Sequence, residues 1–229
     1  MAVQQRAATT RQKLVDAAVR QFARKGYLET TPKHVADAAG LTTGAFYYHF
    51  KSKEELAAEI IDQSWPKPEH ALASYMDPAG SGIEHLVDTE FTAAAQMDGD
   101  TIQRIGLDLR MAIGHLGAPA RRTCQERVDA FALLVAAAFR ESDLREGVTR
   151  KQAGELLWIA TNGAQMMSRA LKDTGPALFE RLGMAWKSAL RSIVRDDMLP
   201  RLEGFVDETA KRYARAEAAD SATGRGRVA

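Results

Sequence analysis

Between Thr30 and Lys53 the chain reads TTPKHVADAAGLTTGAFYYHFKSK, and its chemistry suits phosphate oxygens and base edges. Threonine and tyrosine hydroxyls bond to both, and glycine lets a backbone approach closely. If Phe46 and Phe50, four apart, turn inward on a helix, Thr43, Gly44, Tyr47 and Tyr48 are left facing out, on a surface without an acid. Elsewhere the chain offers no competing chemistry. His34, His49, His70, His85 and His115 are scattered without a His-x-x-x-His or Cys-x-x-Cys pair, so no metal site is expected. Cys124 is the single cysteine and has no resolving partner. There is no Gly-x-Ser-x-Gly, phosphate loop or dinucleotide fingerprint, which leaves an enzyme reading without residues and implies no cofactor.

Groups of this kind need short, firmly held helices. Thr31 is placed to cap one, with Pro32 at its first position, and Gly40 ends it after about eight residues. Thr42 or Thr43 opens the next, which ends near Phe50. Val35, Ala36, Ala39 and Leu41 seat the one on the other, and the pair forms a helix-turn-helix. A first helix is expected from a Thr9-x-x-Gln12 capping box to Gly26, and Ser52-x-x-Glu55 opens a fourth, ended by Trp65-Pro66-Lys67-Pro68. Residues 1–53 carry nine Lys/Arg against three acids although the whole chain is only +1, so a basic head joins a mildly acidic body.

Strand signals are nearly absent, and helical spacing recurs to the end of the chain. The expected body helices are Ile83–Met97, Thr101–Leu116, Pro119–Glu141, Arg150–Asp173, Pro176–Val194 and Asp197–Ala214, separated by Gly and Pro. The fold class is therefore all-α: a three-helix helix-turn-helix head over 1–53, a larger helical body over 54–214, which the resemblance given below implies is a ligand-binding and dimerisation domain, and a disordered tail over 215–229. No run approaches about 18 apolar residues, so no membrane span is expected. The polar N-terminus lacks a signal peptide's apolar core, and the expected location is the cytoplasm.

AGLTTGAFYYHFKSKEEL resembles the signature of the TetR family, carried by Ala39, Gly40, Leu41, Thr42, Gly44, Phe46, Tyr47, His49, Phe50, Lys53 and Leu56. Phe22, Gly26, Tyr27, Thr30, Thr31, Val35 and Ala36 match the family's first two helices. The resemblance implies phosphate contacts from Tyr47, His49 and Lys53. It implies that Thr42 caps the recognition helix and touches the backbone, while Lys33, Thr43, Ala45 and Tyr48 face bases. With Thr31 and Gly44 these make up the expected operator surface. More narrowly, Arg140–Leu144, Ile102–Leu107 and Arg181–Ile193 resemble the γ-butyrolactone receptor branch, which releases DNA on binding small lipophilic lactones or furans. That branch carries a tryptophan over its ligand early in the seventh helix; Arg122–Phe131 holds none here.

The implied function is a repressor that binds a palindromic operator as a dimer and is released by a small lipophilic effector: a lactone, a furan or an antibiotic. Large adaptable side chains at Phe91, Met111, Phe131, Trp158 and Met166, with Thr161, Asn162 and Gln165 as polar anchors, are the expected pocket. Helices 150–173 and 176–194 are the expected dimer contact. The stripe Leu178, Leu182, Ala185, Ala189 and Ile193, widened by Trp186 and Leu190, points to a partner copy or to a wide core of the same chain. The helix after Ser52 is expected to turn Ile60, Ile61 and Trp65 toward the body and relay the signal. The alternative is a helical architectural or protein-recruiting factor with no ligand.

Overall fold

The computed structural model describes residues 2–64, 82–97, 100–112, 117–173 and 175–223. Trp65 to Pro68, His70, Ile113, His115 and Leu116, named above, lie outside these. Ten α-helices run along the described chain: α1 Ala2–Lys25, α2 Pro32–Ala38, α3 Thr43–His49, α4 Lys53–Gln63, α5 Gly82–Met97, α6 Thr101–Met111, α7 Gly117–Ala138, α8 Arg150–Leu171, α9 Pro176–Ile193 and α10 Leu199–Thr223. No strand occurs among the described residues, only a single antiparallel bridge between Leu144 and Val194. Nor is any described helix long and apolar enough to cross a membrane.

The helices form two compact units. The first holds α1–α4, α6 and the start of α7 up to Glu126; the second holds α5, the remainder of α7 and α8–α10. The expected break after Lys53 therefore falls inside the first unit. There α4 lies against α1 and α6, and Leu14, Phe22, Phe46, Phe50, Leu56 and Ile60 share one core with Ile105 and Leu109. Ile60 and Ile61 are fully buried in that core, together with Ile105, Leu109 and Ala120 of the stretch read from the sequence as the body.

Two further expectations change, for local reasons. α1 starts seven residues before Thr9: the Thr9 and Thr10 hydroxyls donate to the Gln5 and Arg6 carbonyls four residues back, a bond that threonine makes inside a helix. The tail expected to be disordered is helical to Thr223, because its alanines, with Arg215 and Glu217, are strong helix formers even without an apolar face. Residues 224–229 lie outside the described part.

In the second unit α9 packs on both α8 and α10. Leu182, Trp186, Leu190 and Ile193 are fully buried within the chain, and Trp186 Nε1 donates to Thr161 Oγ1 at 3.0 Å. The α9 stripe is thus core of its own chain, resolving the alternative left by its spacing. The outward apolar residues are others: Leu156, Ile159, Met167 and Leu171 on α8, and Met184 on α9.

Candidate nucleic-acid interface

The helix-turn-helix is held together by contacts within a few residues. Thr31 Oγ1 accepts from His34 N at 3.2 Å, and His34 Nδ1 accepts from Thr31 N at 3.3 Å, so both ends of the cap are satisfied ahead of Pro32. Gly40 takes a left-handed φ of 68°, and Leu41 N then reaches back to Ala36 O at 2.9 Å. Thr42 Oγ1 accepts from Ala45 N at 3.1 Å and starts α3. Phe46 and Phe50 are fully buried with ring centroids 6.0 Å apart, fixing which side of α3 faces out.

That outer side bears Thr43, Gly44, Tyr47 and Tyr48, with Tyr48 82% exposed. Beside Gly44 the only atom near an added Cβ would be Thr42 Oγ1, so a phosphate or base edge can come close. His49 is half-buried edge-on to Tyr48, and Ala45 is half-buried. Lys33 pairs with Asp37 of its own helix at 2.6 Å, but both are exposed, and such pairs yield readily to a stronger partner. The Thr31 and Thr42 hydroxyls already accept as caps and keep their O–H to donate to a phosphate oxygen. α3 itself contains no acid.

Lys53 has a different occupation from the one the resemblance implies. Its Nζ donates to Tyr27 O at 2.9 Å and Thr30 O at 3.0 Å, with Leu28 O at 3.4 Å, and lies 4.2 Å from the Tyr27 ring centroid. Burial lowers its pKa, partly offset by Glu54. Burial, with Glu54 adding, pushes the Tyr27 phenol up to about 12. The ammonium thus straps the start of α4 to the turn between α1 and α2. No sequence signal marks this contact, because the carbonyls lie more than twenty residues upstream. Glu55 also departs from expectation: it accepts from Lys51 N at 2.7 Å, one residue beyond the Ser52 cap.

Lys53→Met should therefore lower operator affinity without changing its salt dependence. A lysine on phosphate contributes about one unit to the slope of log affinity against log salt, and a strap contributes none. Fluorescence anisotropy across a salt series measures this. A slope shallower by about one unit in the variant would place the ammonium on phosphate instead.

The residues expected to line a pocket are distributed unevenly. Met111 belongs to the first unit and is 40% exposed; the others belong to the second. Phe91 is fully buried near Phe179 and Tyr213, with centroids 6.2 and 6.1 Å away. Thr161 holds Trp186, and Asn162 Nδ2 donates to Trp158 O at 3.1 Å. Phe131, Trp158 and Met166 are half-buried. Gln165 is buried, with no hydrogen-bond partner among the described residues.

Residues 14–60 match the family described as bacterial regulatory proteins, tetR family. Across its length the chain is similar to the A-factor receptor protein of Streptomyces griseus, 28% identical over 220 residues, covering 95% of this chain and 76% of the receptor. It is also 28% identical over 145 residues to the probable acrEF/envCD operon repressor of Escherichia coli strain K12, covering 63% of this chain and 56% of that protein. Among solved structures it resembles a gamma-butyrolactone receptor (ArpA-like protein), with a TM-score of 0.63, 25% identity, and 90% and 99% of the two chains covered.

Proposed function

We propose that the chain is a TetR-family transcriptional regulator that represses transcription as a homodimer on a palindromic operator until a small lipophilic effector releases it. The observation that carries the reading is the acid-free outer side of α3, where two exposed tyrosines stand over a fully buried Phe46–Phe50 pair. Thr31, Lys33, Thr42, Thr43, Gly44, Ala45, Tyr47, Tyr48 and His49 form the operator surface, with Lys53 holding it in shape. Two such heads, one per protomer, would enter major grooves about one helical turn, roughly 34–36 Å, apart.

The dimer contact we assign to α8 and α9, on the outward face of α8. The effector we place in the apolar core of the second unit, among Phe91, Phe131, Trp158, Gln165 and Met166. Similarity to the A-factor receptor supports a signalling metabolite, and similarity to the acrEF/envCD repressor keeps antibiotics in view. Binding would release DNA by shifting the spacing of the heads. A near-complete switch needs about a 10⁴-fold preference for the released state. The regulator would act in the cytoplasm, where its operator is.

The test is a mobility shift on an inverted repeat selected by the protein from random DNA. Tyr47→Ala with Tyr48→Ala should cut affinity about ten- to a hundred-fold. Melting should be unchanged, because both rings are exposed. Undiminished binding by the double variant would sink this placement of the interface.

A further inference from the structure

Gly26 ends α1 with a left-handed φ of 79°, and a Cβ there would meet nothing within 4 Å. The glycine borders an open cleft of about 340 Å³ between the α1–α2 turn and α6, inside the first unit. Phe22 and Tyr27 line it from α1 and the turn, and Ile105 and Leu109 line it from α6. All four are at most 9% exposed, so together they make an apolar floor. The Phe22 and Tyr27 rings meet edge to face, with centroids 5.4 Å apart. Leu28, 67% exposed, and Ala112 continue the lining outward. The volume lies at the small end of sites for small molecules, which span about 300–1,000 Å³.

Charge is kept to the rim. Lys25, Glu29 and Asp108 complete the lining, each more exposed than the floor. Asp108 lies in the field of the buried Arg110 on its own helix. Lys25 and Glu29 make no hydrogen bond or ion pair among the described residues. They flank the turn and leave one free charge of each sign beside a floor with an aromatic part. Either charge alone would be an ordinary solvated side chain. Both on one cleft, with opposite signs, define what can sit there.

We propose that this cleft is a second ligand site, for a small zwitterion with an aromatic side chain, namely an aromatic amino acid. The ring covers the floor and packs against Phe22 and Tyr27. The carboxylate pairs with Lys25 and the ammonium with Glu29, and each contact selects one end of the molecule. An analogue with one charge leaves half of the rim unanswered, and a zwitterion without a ring leaves the floor in water. The site is separate from the effector core of the second unit and goes beyond the repressor reading. It puts a second input on the unit that carries the operator surface. Its occupant touches the α1–α2 turn and α6 at once, and Lys53 straps the same turn to α4. Occupation therefore raises the melting temperature, because the cleft exists only in the folded unit.

The experiment is an amide-resolved NMR titration of the full-length protein at pH 7 with L-phenylalanine, phenethylamine, 3-phenylpropionate and glycine. About a dozen non-hydrogen atoms at modest efficiency give a Kd on the order of 1 mM, so each titration runs to about 10 mM. Phenylalanine should shift the amides of Gly26, Leu28 and Ala112. It should bind about two- to fivefold more tightly than either analogue with one charge, and glycine should not bind. Lys25→Ala should remove the advantage over phenethylamine, and Glu29→Gln the advantage over phenylpropionate. Both side chains are exposed, so both variants keep the fold. No shift at these amides at about 10 mM, or shifts confined to the second unit, overturns the site. Equal affinity for the three ring compounds, or an advantage that survives both variants, overturns the assignment of the zwitterion.

Discussion

Aspartate at both Ile159 and Met167 should turn the dimer into a monomer and lower operator affinity by on the order of 10²-fold or more. α8 buries Ala153, Leu157, Thr161, Ala164 and Ser168 against its own chain. Its opposite side leaves Ile159 60%, Met167 51% and Leu171 58% exposed, with Leu156 at 39%. With Gly163 between Ile159 and Met167, these positions recur every three to four residues and form one stripe. Gly163 lies within it, and nothing is within 4 Å of where its Cβ would be, so a second helix can approach closely there. In a two-fold contact each substitution occurs twice, so the pair places four carboxylates in one apolar patch. Sedimentation at micromolar concentration, beside a mobility shift, reads both effects. A dimer of unchanged stability would show that the contact lies elsewhere.

Gly106→Ala should destabilise the first unit by about 1–3 kcal/mol or more, with operator affinity falling alongside. A Cβ at this position would lie 2.0 Å from Ser64 Oγ and 2.2 Å from Ser64 Cβ. Ser64 ends α4, donates to Ile61 O at 2.7 Å and accepts from Arg110 Nη1 at 3.2 Å. Arg110 stands one turn beyond Gly106 on α6 and is 8% exposed, and burial lowers its pKa to about 10. The added methyl must push α6 off α4, and α4 carries the Lys53 strap at its other end. Adding Ser64→Gly removes the obstructing atoms and should restore most of the stability, a coupling that chemical denaturation can measure. An unchanged melting midpoint in Gly106→Ala would contradict the contact.

The two residues show where sequence reasoning stops. Gly106 sits in a helical pattern with nothing nearby to explain it, and its reason lies forty-two positions upstream at Ser64. Lys53 carries a family motif that implies a phosphate contact, yet its ammonium is occupied by carbonyls of the α1–α2 turn.

From sequence alone came most of what is settled within about four residues along the chain: the caps at Thr31 and Ser52, a cap at Thr42 or Thr43 that the structure gives to Thr42, the tight turn at Gly40, and the inward pairing of Phe46 with Phe50. Such contacts depend on local backbone geometry, which residue type already constrains. Hence the helical class and the outward face of α3 could be read before any coordinates. Tertiary structure alone decided which stripe of α8 and of α9 is core and which is left outward. Both helices are apolar on more than one side, and periodicity measures the width of an apolar face without saying what covers it. It also decided that α4 and α6 belong to one unit, through a close approach that only a glycine permits.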